Sequence, residues 1–423
     1  MKLLNKATAT LLLNKFTLLF VTLLVFGSSV YAQQSRDLQY FRAPDKTGLN
    51  VFETPKSTDV EFDGLNFRIG GSNTLQFQGL SHSNNGNVEL AKIGPNFNLA
   101  TSNLDIDVQL SDGLRMHLST YLSSRHHPEA WVKGGYMQID RLDFIQDDFM
   151  AGLMDKLTIR VGHMQINYGD NHFRRSDNGQ AIFNPFVGNY IMDSFTTEVA
   201  GEVYYQHNGL LAMVGVTNGK LNQSVFDTDI MTRPSYLGKL GYDSQVNEDL
   251  RVRLTGSVYT TSQSGGNTLY SGDRAGSRYY GVMEGSFRSG HFDPGFTNEV
   301  TAIMINPFVK FQGLEFYGVF ENSSGKAAAE PDLRTFNQYG AELLYRLGRS
   351  ENVYLGGRFN QVSGELAGGT DVDITRLNVG GGWFLTDNVL TKVEYVKQSY
   401  NGFNSILEEG KFNGLMIEAV ISF

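Results

Sequence analysis

The sequence predicts an all-β fold, a transmembrane antiparallel β-barrel of sixteen strands, with eighteen as the alternative. Three observations predict it. Period-two alternation recurs from about Val60 to Phe423 with no helical layer between the segments. The N-terminus has the layout of an export leader. The last segment is an amphipathic strand closed by an aromatic residue.

The leader comes first in the chain. Lys2, Lys6 and Lys15 form a basic region, and an apolar run follows from Phe16 to Phe26. Val30 and Ala32 then occupy the −3 and −1 positions of a cleavage site, so residues 1–32 read as a signal peptide. No cysteine follows the run, which excludes a lipoprotein signal. Removing residues 1–32 takes three lysines and leaves 391 residues, with 32 basic against 44 acidic side chains and a formal charge of −12. Such a field disfavours nucleic acid and anionic lipid surfaces as partners. The absence of cysteine excludes disulfides and thiolate metal sites.

Residues 33–58 are polar and carry Pro44 and Pro55, and read as a mobile or loosely docked periplasmic segment. Residues 59–423 read as the barrel. In 157–162, Leu157, Ile159 and Val161 share a face opposite Thr158, Arg160 and Gly162. Leu250, Val252, Leu254 and Val258 oppose Arg251, Arg253, Thr255 and Ser257. Leu377, Val379 and Trp383 oppose Arg376, Asn378 and Gly380, while Val389, Val393 and Tyr395 oppose Lys392 and Glu394. One such segment also fits a soluble sheet, but a long series without helices fits a barrel.

Seventeen segments alternate in this way, whereas a bacterial single-chain barrel has an even number of strands. With the first strand running outward, 84–96, 125–129, 170–195, 219–233 and 262–276 are external connections, and Ser111-Asp112-Gly113 is a periplasmic turn. Counting back from the C-terminus makes Thr386-Asp387 periplasmic and 363–371 external. The two counts collide between about 277 and 323, where one strand is wrongly split or merged. The final strand puts Leu415, Ile417, Ala419, Ile421 and Phe423 on one face. Met416, Glu418, Val420 and Ser422 take the other, and Phe423 would sit in the aromatic girdle at the periplasmic interface. This ending resembles the signal read by the barrel assembly machinery, an expected partner together with outer-membrane lipid.

Loop 170–195 is long and holds Arg174, Arg175 and Asp177 together with Ile182, Phe183, Phe186 and Phe195. A loop with its own apolar residues folds against something. Two readings stay open: a pore-narrowing loop on the inside wall, or an external flap with an aromatic anchor. Arg160, Arg251, Arg253, Arg358, Arg376 and Lys392 alternate with apolar neighbours and so face a lumen. There they either steer anions or pair with Glu342, Glu394 or Glu418. Pairing is favoured, because acids occur on the same inferred face. Arg174 and Arg175 are the better candidates for solute contact.

No metal or other cofactor is expected. In His126-His127-Pro128-Glu129, adjacent side chains of an extended segment point apart, so these read as surface residues. Ser194, Asp193 and His207 form a triple without geometric warrant, and phosphate-loop and dinucleotide motifs are absent, so no enzyme is expected.

Three stretches carry a family resemblance. They are Gly380–Val389 (GGGWFLTDNV) leading into Lys392–Val396 (KVEYV), Leu157–Tyr168 (LTIRVGHMQINY), and Asn306–Glu315 (NPFVKFQGLE). In these the chain resembles the phosphate-selective porin O and P family, in a Bacteroidetes-like version. The resemblance implies a sixteen-stranded channel for small solutes, assembled as a homotrimer, in the outer membrane of a Gram-negative bacterium. Anion-selective members of that family use a lumenal arginine ladder and a lysine cluster. No residue-by-residue match to that ladder is present here, so phosphate specificity is not carried over. The expected activity is passive diffusion of small polar or charged solutes and inorganic ions, anions among them. The alternative is a plugged or ligand-binding barrel acting as receptor, adhesin or structural protein, favoured if loop 170–195 fills the lumen.

Overall fold

The computed structural model describes residues 37–124, 129–221, 231–272, 278–285 and 287–423. The signal-peptide assignment and the surface reading of His126-His127-Pro128 lie outside the described residues.

Sixteen strands form one closed antiparallel ring in which sequence neighbours are also spatial neighbours. They are β1 (Asn66–Ser83), β2 (Asn96–Ser111), β3 (Leu114–Ser123), β4 (Trp131–Ile139), β5 (Leu157–Gln165), β6 (Thr197–His207), β7 (Leu210–Thr217) and β8 (Ser235–Gln245). The second half is β9 (Leu250–Thr261), β10 (Glu299–Phe311), β11 (Leu314–Lys326), β12 (Arg334–Leu347), β13 (Val353–Leu366), β14 (Thr370–Thr386), β15 (Val389–Asn401) and β16 (Lys411–Ser422). The ring closes where β1 pairs with β16, in a register that includes Leu75↔Ala419 and Phe77↔Ile417. Gly71 and Phe423 extend the seam, each amide donating to the other's carbonyl at 2.9 Å. Closure leaves no open edge, so lipid meets no unpaired backbone.

One of the seventeen alternating segments, 277–287, is not a strand over its described residues. Its described residues lie in the connection between β9 and β10, with only an isolated bridge between Tyr279 and Ser289. Tyr279, Val282 and Met283 are fully buried inside the barrel. Bulky residues packing on the inner wall therefore imitate a lipid-facing pattern, and this false strand accounts for the odd count.

The predicted faces hold throughout. Leu240, Leu254, Leu377, Val379, Trp383, Val393 and Tyr395 are exposed on the outer wall, whereas Arg253, Arg376, Asn378, Lys392 and Glu394 are buried inside. On β16, Leu415, Ile417 and Ile421 face outward, while Met416, Glu418, Val420 and Ser422 are fully buried. A charge on the outer face has no lumenal escape. Leu240, 68 % exposed, is the test: Leu240→Arg should lower unfolding stability in lipid vesicles by about 2–4 kcal/mol if it lies near the midplane. The denaturant midpoint reads this out.

Most turns at one end are tight. Between β6 and β7 the chain reverses at Asn208 and Gly209 with φ of 51° and 82°. Both residue types tolerate that left-handed backbone, which matches the twist of a hairpin. The exception at this end is 140–156 between β4 and β5, which contains the short helix Ala151–Met154. The opposite end carries the long connections, of which 166–196 and the described part of 262–298 turn into the lumen.

Candidate functional site

The lumen is built by the inner wall and three segments packed on it. The first is the connection 166–196, which takes the inside-wall position of the two left open by the sequence. Ala181, Ile182 and Phe186 pack against Leu344, Tyr354, Phe384, Leu390 and Val420. Burying these side chains is the apolar part of the anchor. Polar groups fix the backbone. Lys392 donates to the carbonyls of Ala181, Asn184 and Phe186 at 2.9–3.0 Å and pairs with Glu418 at 2.5 Å. Glu394 accepts from the Val187 amide at 2.7 Å. Asn360 and Gln338 accept from the amides of Ile191 and Met192 at 2.6 and 3.0 Å.

The predicted lumenal cations are largely held by acids and carbonyls. Arg174 is buried and pairs with Glu315 and Glu342, each at 2.6 Å. Arg175 pairs with Asp193 at 2.5 Å and with Asp177 at 3.2 Å. Arg358 meets Glu342 at 2.7 Å, Arg251 meets Asp243 at 2.8 Å, and Arg253 meets Asp170 at 2.8 Å and Glu53 at 2.7 Å. Arg376 donates to the carbonyls of Asn189 and Gly290 and to Gln398. Arg358–Glu342 and Lys392–Glu418 are pairings of the kind expected from the shared inner face. Of the nine predicted residues, Arg160 and Asp177 border the cavity that opens beside β1–β5.

The second segment is the N-terminal stretch 38–58, which the sequence suggested was loosely docked. Here it enters the barrel from the tight-turn end and is held at several points. Gln39 bonds Asp112 at 2.9 Å, and Lys56 bonds Asp140 at 2.8 Å. Asn50 donates to Glu315 at 2.8 Å and accepts from Arg174. Phe52 stacks edge-on against Phe308 and Phe173. Glu53 meets Arg253 at 2.7 Å and Lys239 at 2.9 Å. Burial disfavours the Glu53 carboxylate, but Arg253 and then Lys239 more than offset it and hold its pKa at about 2. The group is depressed on folding, so its stabilisation is complete above its ordinary value of 4.5 and is lost as the pH falls through about 2. Pepsin should therefore leave this segment intact at pH 4 and cut it near pH 2. Mass spectrometry of the fragments checks this, and equal cutting at both values would refute the anchor.

The third segment lies in the β9–β10 connection. Tyr270 donates to Glu321 at 2.8 Å, Tyr279 to Glu394 at 2.6 Å, and Phe296 packs beside Phe336. Arg278 donates to the Asn178 carbonyl, tying this segment to the first.

These segments crowd the wall from β8 to β16. Beside β1–β5 a cavity of about 280 Å³ remains open. Its lining includes Arg42, Arg68, Arg115, Lys133 and Arg160 against Asp105, Asp107 and Asp177. Asp107 meets Arg115 at 2.9 Å, Arg68 at 3.2 Å and His117 at 2.9 Å, and Asp177 pairs with Lys133. The sequence reading missed Arg68, Asp107, Arg115 and His117, although FRI, LDIDV and LRMHL show the same alternation that exposed the arginines of later strands. Nothing in the local pattern marked Arg42, Asn50 or Glu53. Among the described residues, no group of three or more His, Asp or Glu is arranged to hold a metal. Ser194 precedes β6 and His207 ends it, so the length of the strand separates them, and Asp193 is taken by Arg175.

No protein-family model and no curated protein matches this sequence. Solved structures match its fold. An anion-selective porin from Comamonas acidovorans is 8 % identical, with 85 % of this chain and 100 % of that chain covered at a TM-score of 0.54. The outer membrane channel DcaP of Acinetobacter baumannii is 10 % identical, with 86 % and 99 % covered at 0.54. The in-vitro folded outer membrane protein OmpT of Vibrio cholerae is 11 % identical, with 86 % and 99 % covered at 0.51. At these identities the likeness is one of fold: a large antiparallel barrel of the kind seen in outer-membrane porins. The closed ring and its apolar outer belt place the chain in the outer membrane of a Gram-negative bacterium.

Proposed function

We propose that this barrel is a porin through which small polar or charged solutes diffuse passively, with a preference for anions. The observation that carries the reading is the charge of the open cavity. Five cationic and three acidic residues line it in a chain whose mature formal charge is −12. Selectivity is set by the charges at a constriction rather than by the whole molecule. The resemblance to the phosphate-selective porin O and P family, the Bacteroidetes-like version included, supports an anion channel. The anion-selective porin from Comamonas acidovorans, which shares the fold, supports it as well. We extend the reading to a leader removed after Ala32, insertion by the barrel assembly machinery, and a homotrimer.

A second reading has an observation of its own. Three inward segments occupy much of the lumen, which favours a plugged barrel acting as receptor, adhesin or structural protein. Planar bilayers separate the two. The porin reading expects discrete conductance steps and a reversal potential in a KCl gradient displaced toward chloride. Folded protein that gives no steps at any voltage would leave the plugged barrel in its place, and displacement toward potassium would end the anion preference.

A further inference from the structure

The cavity beside β1–β5 holds two guanidiniums that differ from their neighbours. Arg68, Arg115, Arg174, Arg175, Arg251, Arg253, Arg346 and Arg358 each lie within 4 Å of a carboxylate. Among the described residues, Arg42 and Arg160 have none, and both line this cavity. Each lies instead on an aromatic face, Arg42 at 3.8 Å from the centre of Phe183 and Arg160 at 4.2 Å from that of Tyr136. Arg42 gives two of its N–H groups to the carbonyls of Gly48 and Phe173. Arg160 hydrogen-bonds the Tyr204 side chain and faces Glu202 across the β5–β6 pair, and Glu202 accepts from the Asn167 amide at 2.8 Å and from the Tyr204 hydroxyl and does not line the cavity.

Further hydrogen-bonding capacity faces the same space. Arg160 Nε, Gln165 Nε2 and His172 Nδ1 are buried without a partner, and all three residues line the cavity. The Arg160 and Gln165 N–H groups are donors, and a buried donor left unsatisfied costs free energy that an acceptor would recover.

We propose that this cavity is a binding site for a small organic monocarboxylate with an apolar, preferably aromatic, body. The carboxylate answers the Arg42 and Arg160 guanidiniums, neither of which has an acid within 4 Å and whose planar forks suit two oxygens. The body answers the ring faces, among them Phe41, Phe52 and Phe173. Asp107 and Asp177 are matched by Arg68, Arg115 and Lys133, whereas Asp105 has no cation within 4 Å among the described residues. The lining holds five cations against three acids, a surplus of two positive charges that accommodates a carboxylate, and the apolar ring faces rather than the charge count favour an aromatic acid over phosphate. A volume near 280 Å³ is small for a ligand pocket and suits a molecule of about ten heavy atoms. The site rests on the proposed pore for its place in a permeation path, but its occupancy is tested separately.

The test is calorimetric titration of the detergent-solubilised full barrel with benzoate, with benzyl alcohol as the uncharged match and inorganic phosphate as the multivalent one. Benzoate should bind, benzyl alcohol should bind at least tenfold more weakly, and phosphate more weakly than benzoate. Arg42→Gln and Arg160→Gln should each weaken benzoate roughly tenfold, the loss of about one charge-assisted hydrogen bond, while Arg160→Lys retains part of it. Heat-modifiable gel migration establishes that each variant is folded. Absence of benzoate binding, equal binding of benzyl alcohol, tighter binding of phosphate, or indifference to both Gln variants would overturn the proposal. Bilayer recordings keep the two readings apart: conductance without binding removes only this site, and binding without conductance removes only the pore.

Discussion

Deleting residues 38–56 will raise single-channel conductance several-fold. The segment runs into the tight-turn end of the lumen, where Asn50 and Phe52 are buried and Glu53 is clamped between Arg253 and Lys239. Folding should survive, because the wall is closed by sixteen strands that do not involve the segment. The buried cations also keep partners: Arg253 and Lys239 retain Asp170, and Arg174 retains Glu315 and Glu342. Planar-bilayer conductance of the deletion beside the parent measures the effect, with gel migration reporting the intact barrel. A folded deletion variant with parental conductance would show that the segment does not obstruct the path. If benzoate binds as proposed, the same deletion should abolish it, since Arg42 leaves with the segment.

The wall was legible in the sequence because lipid imposes one chemical demand on every strand. Each outward position must be apolar and each inward position is free to be polar, so Leu377-Asn378-Val379 can be read without knowing any neighbour. The errors arise where that demand is relaxed. Strand β1 begins at Asn66, where the adjacent Gly70 and Gly71 carry no side chain to mark a face. The false strand at 277–287 arises because Val282 and Met283 meet an apolar inner wall that satisfies them much as lipid would. The inward segments obey no period at all. Asn50 is placed by Glu315, 265 residues away in the chain, and Ile191 by Asn360, 169 away. The orientation of the lumenal arginines followed from alternation, but their neutralisation depended on which strand each acid faces across the ring. For that reason Arg160, one of several similar arginines in the sequence, is set apart only by the closed ring, which brings most of the others to an acid and Arg376 to carbonyls.

The pairing itself predicts the second large effect: Glu342→Ala should destabilise the seated loop by about 3–5 kcal/mol. Glu342 is 1 % exposed and accepts from Arg174 at 2.6 Å and from Arg358 at 2.7 and 2.9 Å. Removing it leaves Arg174 with Glu315 but takes the paired carboxylate from Arg358, whose remaining acceptors are the Gly188 carbonyl at 2.8 Å and Asn184 Oδ1 at 3.0 Å, beside the Phe186 and Tyr190 ring faces. Both acceptors belong to connection 166–196. An uncompensated buried guanidinium must recruit water or move, and either response pulls on that connection rather than on the β-ladder. Hydrogen exchange at the amides of 184–192 should accelerate strongly while exchange in β11–β13 changes little, and bilayer records should become noisier with larger steps. The double variant Glu342→Leu/Arg358→Met separates charge from packing. Replacing a buried pair by apolar groups removes the desolvation cost along with the attraction, so the double variant should be more stable than Glu342→Ala despite losing more hydrogen bonds. A single variant with unchanged exchange at 184–192, or a double variant less stable than the single, would mean that the loop is seated by its apolar contacts with Leu344, Tyr354 and Leu390 and that the ion pairs contribute little.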